Sequence, residues 1–278
     1  MTIPYDPSND ALYRPGMRPT VLQPGPMPPL NALCAEASRL VYVPFEKDVA
    51  HRAQLEEGLA RVGIGAPTPL CNPLTDTQAF AVTLPTGQAL VVFRGTEPQA
   101  ASDLGSDLAA TLEPWGEGAA RVHHGFAKAL ASVTSELAAW LGSRSGDQVV
   151  FTGHSLGAAL ATLAASRWQA GQLITFGSPR VGNSAFVDTL AGARIERYVD
   201  CCDIVTHLPP QSPWYAQAGA TLYIDSEGRW PSPVDDPAAD QAEARIDYLT
   251  HFAWRRGNVV ARDLADHAPI NYVRAFFN

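Results

Sequence analysis

The run Gln148-Val-Val-Phe-Thr-Gly-His-Ser155-Leu-Gly-Ala-Ala-Leu160 decides the fold. Val149 to Thr152 are β-branched or aromatic and read as a buried strand, whereas Leu156 to Trp168 is rich in alanine and leucine and reads as a helix. Between them Gly153-His-Ser155-Leu-Gly157 has to turn the chain from strand to helix within a few residues. A serine on such a turn takes a strained backbone conformation, and small residues two positions to either side let strand and helix approach closely. The helix N-terminus aims its free N–H groups at the same spot, which makes the Leu156 N–H a natural donor to an oxyanion. A serine hydroxyl is a weak nucleophile without a base, so the motif calls for a carboxylate and a histidine downstream, in the order Ser, Asp, His.

Working outward, Gln172-Leu-Ile-Thr-Phe-Gly177 reads as a second strand, and strand, helix, strand predicts a parallel, right-handed βαβ unit. Upstream, the runs 79–84 and 89–94 are β-rich and joined by Pro85-Thr-Gly-Gln88, a hairpin signature. Ile195 to Val199 and Thr221 to Ile224 are further strands, and 30–41, 47–62 and part of 264–277 carry helical patterns. Phe126, Leu130, Val133, Leu137 and Leu141 predict one buried helical stripe. The fold class expected is α/β, a mainly parallel central sheet with helices on both faces, formed as one domain over 30–278. The Pro-, Asp- and Ala-rich segment 226–247 reads as a surface insert. Residues 1–29 hold eight prolines, which disfavour helix and central strand, and read as an extended arm with Tyr5, Leu12, Tyr13, Met17, Val21 and Leu22 as anchors.

Composition narrows the function classes. The formal charge of −8 argues against a nucleic-acid binder, and 46% apolar residues in a chain of 278 support a large core rather than disorder. No apolar run approaches the roughly 18 residues of a membrane span. Residues 1–7 show neither a basic region nor an apolar one of the signal-peptide type, so cytoplasmic residence is the expectation, with signal-independent secretion as the other route. Four cysteines are too few for a disulfide framework, and Cys201-Cys202 lacks zinc-ligand spacing. They read as mostly buried thiols, with a Cys34–Cys71 bridge open as an alternative.

Four separated segments, in this order, resemble the class 3 lipases, the fungal triacylglycerol-lipase type of α/β-hydrolase. They are Val91-Val-Phe-Arg-Gly-Thr-Glu97; Val122-His-His-Gly-Phe126; Thr152-Gly-His-Ser-Leu-Gly-Ala-Ala-Leu160 with Phe176-Gly-Ser-Pro-Arg-Val-Gly-Asn183; and Asp203-Ile-Val-Thr-His-Leu-Pro-Pro210. The resemblance covers roughly 78–278 and excludes the N-terminal arm. It implies Ser155 as nucleophile, Asp203 as triad acid, His267 as triad base, and Thr96 beside Leu156 in the oxyanion hole. Asp200 is a rival for the acid, but the Asp-Ile-Val pattern begins at Asp203. His207 and His251 are rivals for the base, but Asp266-His267-Ala-Pro-Ile-Asn-Tyr272 resembles the family's Asp-His…Tyr segment. Arg94, His123 and His154 match motif positions and read as structural, and the adjacent His123 and His124 diverge too far to chelate a metal together.

The family's lid is expected at 97–121, where Asp103-Leu-Gly-Ser-Asp-Leu108 is less apolar than in many bacterial relatives. Leu104, Leu108, Leu112 and Trp115 recur at helical spacing there, and Thr206 stands where the family usually has proline. The resemblance thus implies a serine hydrolase, a triacylglycerol lipase or carboxylesterase, that needs neither cofactor nor metal. The implied partners are a lipidic or other carboxylic-ester substrate and, transiently, a lipid interface. A phospholipase A1 or a feruloyl-type esterase would use the same triad, and a catalytically dead binding protein would be expected to lack one of its members. Oligomeric state is not legible.

Overall fold

The structure, a computed structural model, describes residues 2–95 and 111–278. In chain order the helices are α1 (Asn9–Tyr13), α2 (Leu30–Leu40), α3 (Val49–Ala60), α4 (His124–Ala131), α5 (Thr134–Leu141), α6 (Leu156–Trp168), α7 (Ser184–Asp188), α8 (Pro237–His251), α9 (Arg262–Ala265) and α10 (Pro269–Phe277). The strands are β1 (Thr68–Asn72), β2 (Thr77–Thr83), β3 (Ala89–Phe93), β4 (Leu112–Pro114), β5 (Arg121–His123), β6 (Val149–His154), β7 (Gln172–Phe176), β8 (Arg194–Asp200) and β9 (Thr221–Ile224).

Seven strands form the main sheet in the order β1-β2-β3-β6-β7-β8-β9. β1, β2 and β3 pair antiparallel, while β3, β6, β7, β8 and β9 run parallel. Side chains alternate between two cores: Leu90 and Val92 face one that includes Leu33 and Leu40 of α2 and Val273 of α10. Val91 and Phe93 face the other, with Leu160 and Leu163 of α6 and Phe126 of α4. A strand buried on both faces needs an unbroken apolar run, which is why β3 reads Ala-Leu-Val-Val-Phe. The parallel strands end together at one edge, where β6 delivers His154 opposite Phe176 and Phe176 lies opposite Tyr198. Ser155, Asp203 and His267 gather at that edge.

Several expectations are corrected. The stripe Phe126 to Leu141 is buried throughout, but it belongs to two helices. Val133 leaves helical geometry at φ −121° and ψ 4°, and the Ser132 and Thr134 hydroxyls donate to the carbonyls of Ala129 and Leu130. The lid stripe is not helical at its end: Leu112 lies in β4, paired with β5, because Pro114 and the turn glycines Gly116 and Gly118 suit a hairpin. Trp115 packs edge-on to Phe186 and donates from Nε1 to Ser166. Leu104, Leu108 and the rest of the expected lid up to residue 110 lie outside the described residues.

The segment 226–247 is largely exposed and includes the start of α8, Pro237–His251, with Asp236 capping the helix and Ala244 and Tyr248 buried. The arm is less extended than expected: it contains α1, and Leu12 and Leu22 enter the core, whereas Met17 is 72% exposed. Cys34, Cys201 and Cys202 are buried, Cys71 is exposed, and all four are free thiols, so Cys34 and Cys71 are not bridged. Among the described residues no helix is long and apolar enough to cross a membrane.

Candidate active site

β6 runs straight into α6, and Ser155 sits at the joint with φ 59° and ψ −129°. That left-handed value is costly for a residue with a Cβ, and it is held by backbone packing on both sides. A Cβ on Gly153 would lie 2.4 Å from the backbone of Gly157, and one on Gly157 would lie 2.2 Å from the Phe93 carbonyl oxygen. Small residues are thus required at both flanks for β3, β6 and α6 to meet. The Ser155 N–H donates to the Phe176 carbonyl at 3.0 Å, fixing the turn against β7.

His267 lies in the turn between α9 and α10 and reaches both partners. Its Nε2 is 2.8 Å from Ser155 Oγ, and its Nδ1 is 2.8 Å from Asp203 Oδ2. Asp203 follows β8 by three residues and is fully buried; its Oδ1 accepts from the Val205 N–H and its Oδ2 also accepts from the Tyr272 hydroxyl at 2.6 Å. The Tyr272 oxygen in turn accepts the Asp200 N–H. The structure therefore brings Ser155, His267 and Asp203 into one hydrogen-bonded chain.

The rivals are elsewhere or otherwise engaged. His207 and His251 are exposed, His251 pairing with Asp247 on α8. Asp200 is fully buried, and among the described residues neither of its carboxylate oxygens has a hydrogen-bond partner. Burial, reinforced by Asp266, pushes the Asp200 carboxyl well above the ordinary carboxylate value.

His154 braces His267 from behind. Its Nε2 faces the His267 carbonyl oxygen at 2.8 Å, which can only accept, so Nε2 carries the proton and Nδ1 accepts from the Tyr42 hydroxyl at 2.9 Å. Burial, and secondarily the neighbouring His267, hold the His154 imidazole well below its ordinary value, in keeping with this neutral tautomer. Arg94 donates from Nε to the Val41 carbonyl and pairs with Glu46, and His123 caps α4 at Phe126 while His124 turns to Glu113.

Leu156 is the first residue of α6, where N–H groups lack an intrahelical acceptor, and is half-buried beside Ser155. Thr96 lies outside the described residues. Its predecessor Gly95 is described, and a Cβ there would approach Ser155 Cβ to 3.1 Å, so the chain leaving β3 abuts Ser155. Among the described residues, metal-ligand atoms gather at Cys201, Cys202 and Asp266, all within 4.8 Å of one another. Both Asp266 oxygens there already accept hydrogen bonds, from Tyr5, Arg262 and the Cys202 N–H. Sequence reasoning assigned no role to Tyr42 or Tyr272. Tyr272 stands inside the Asp-His…Tyr segment and was within reach of the motif, whereas Tyr42 follows α2 at a position indistinguishable from core.

Comparison with known proteins matches residues 90–212 to the family Lipase (class 3), a range that contains Ser155 and Asp203 but not His267. A secreted mono- and diacylglycerol lipase of Malassezia globosa is 36% identical over 89 residues, 28% of each chain. A chloroplastic phospholipase A1 of Arabidopsis thaliana is 44% identical over 70 residues, 22% of this chain and 16% of that one. A lipase of Rhizopus niveus is 29% identical over 177 residues, 57% of this chain and 44% of that one. The matches thus span less than half the length of these relatives. The solved lipase II from Rhizopus niveus superposes with a TM-score of 0.54 at 26% identity, over 69% of this chain and 77% of that one. The architecture is the α/β-hydrolase type expected for these lipases, with its mainly parallel sheet between two helical layers.

Proposed function

We propose that this chain, whose residues 90–212 match the family Lipase (class 3), hydrolyses carboxylic esters of the acylglycerol type through an acyl-enzyme. The observation that carries this reading is the pair of 2.8 Å contacts His267 makes, with Ser155 Oγ on one side and Asp203 Oδ2 on the other. Ser155 Oγ attacks the ester carbonyl as His267 Nε2 takes its proton, and Asp203 holds the imidazole in the tautomer that leaves Nε2 free to accept. The tetrahedral oxyanion is met by the Leu156 N–H, with Thr96 as the second donor. His267 then protonates the leaving alcohol, and water, activated by the same imidazole, releases the acid. Every proton movement in this scheme belongs to a side chain of this protein, and no step draws on a cofactor.

A phospholipid ester is the second reading, supported by the similarity to the Arabidopsis phospholipase A1. Contact with a lipid surface during turnover belongs to either reading. An aryl fluorophosphonate should label Ser155 and no other serine by peptide mass mapping, and Ser155→Ala should abolish both labelling and turnover of p-nitrophenyl esters. Label on another serine, with Ser155→Ala still active, would remove the reading. Rates on triglyceride and phosphatidylcholine then choose between the two substrate classes.

A further inference from the structure

Asp266 immediately precedes His267, and Cys202 immediately precedes Asp203. Asp266, fully buried, joins these two positions: its Oδ2 accepts the Cys202 N–H at 3.0 Å and Arg262 Nε at 3.1 Å. Its other oxygen, Oδ1, accepts the Tyr5 hydroxyl at 2.8 Å, from a residue of the N-terminal arm 261 positions away. The arm is pinned where it delivers Tyr5, because the Asp6 N–H donates to Asn271 Oδ1 and Asn271 Nδ2 donates back to the Asp6 carbonyl, each at 3.0 Å. The Tyr5 ring lies under the guanidinium groups of Arg262 and Arg274, at 5.0 and 4.8 Å, and edge-on to Tyr248 and Phe252. Its hydroxyl has little freedom to point elsewhere.

We propose that Tyr5 and Asp266 are positioning residues, a clamp that sets the register of His267 against Asp203, so that the arm outside the lipase-matched segment completes the site. This rests on the reading of Ser155, His267 and Asp203 given above. One carboxylate tied one residue upstream of both the acid and the base transmits any shift of its own to the separation between them. A buried carboxylate that loses one of its donors moves toward another or takes a proton. Either response loosens the bond to the Cys202 N–H, and small misplacements of catalytic groups cost rate rather than substrate binding.

The test is Tyr5→Phe, which keeps the ring and its cation contacts and removes the hydroxyl. The expected result is a fall in kcat of about tenfold on a soluble ester with KM within about twofold. The downfield proton NMR signal of the His267 Nδ1–H should move or broaden, with a melting temperature within a few degrees of the parent. Unchanged kcat and an unchanged signal would overturn the clamp, as would a loss of kcat accounted for by the fraction of unfolded protein. If the parent hydrolyses no ester, the functional reading fails, while the NMR signal in parent and variant still decides whether Tyr5 sets the His267–Asp203 pair.

Discussion

Asp200 and Asp203 are both fully buried and three residues apart, yet their surroundings assign them different work. Asp203 is bonded by His267, Tyr272 and the Val205 N–H, whereas among the described residues neither oxygen of Asp200 has a partner. Asp203→Asn should therefore lower kcat by about 10³- to 10⁴-fold, because the amide stabilises the wrong imidazole tautomer. Asp200→Asn should stay within about threefold, since what Asp200 gives Tyr272 is its backbone N–H. The reverse ranking in steady-state rates would reassign the acid. Asp200 also has a pH signature. Its folded carboxyl titrates well above 3.8 because of burial, while in the unfolded chain it titrates near the ordinary value. Between those two values the folded protein holds a proton that the unfolded chain has released. Stability contributed at this site is accordingly complete below about pH 4 and declines as pH rises toward the folded value. Asp200→Asn removes that decline, so thermal melts should show a gain of about a few degrees at pH 8 over any gain at pH 5. An equal effect at both pH values would show that Asp200 does not titrate in this way.

At the scale of elements, the joint between β6 and α6 depends on Gly157 having no side chain. A methyl there meets the Phe93 carbonyl at 2.2 Å and the Arg94 carbonyl carbon at 2.8 Å, both backbone atoms of the neighbouring strand and its exit. Because such atoms cannot rotate aside, Gly157→Ala should cost about 2–3 kcal/mol, read from the urea midpoint, and should lower activity as the α6 N-terminus shifts. An unchanged midpoint would mean that strand and helix can separate cheaply. This joint was legible because strand, turn and helix are each encoded locally, and α6 runs over the residues its composition predicts. Elements whose identity is settled by neighbours were harder to read. β1 contains Pro69 and buries one residue, Leu70, a pattern tolerated because it is an edge strand. α8 did carry a local signal, Asp236 as N-cap and Pro237 at the first helical position, which the loop-like composition around it outweighed.

For the whole molecule, the contacts least visible in the sequence are those that join its two ends. Ile3 exchanges hydrogen bonds with Asn278, and Tyr5 reaches Asp266, so a proline-rich arm with no motif of its own lies against the helix that follows His267. No local pattern reports a partner more than 260 residues away. Net charge, by contrast, is fully legible and acts on the molecule as a unit. At −8 the protein is repelled by an anionic lipid surface over a range set by ionic strength, about 30 Å at 0.01 M and about 8 Å at 0.15 M. If it works on lipid assemblies as proposed, the rate on vesicles rich in anionic phospholipid should rise several-fold between those two salt concentrations, while the rate on zwitterionic vesicles stays within about twofold. A soluble ester assayed in parallel isolates any effect of salt on the chemistry. A fall in rate with salt on the anionic vesicles would mean that a local basic surface outweighs the net charge. The segment Trp254-Arg255-Arg256, with its tryptophan 87% exposed, is where that surface would be sought.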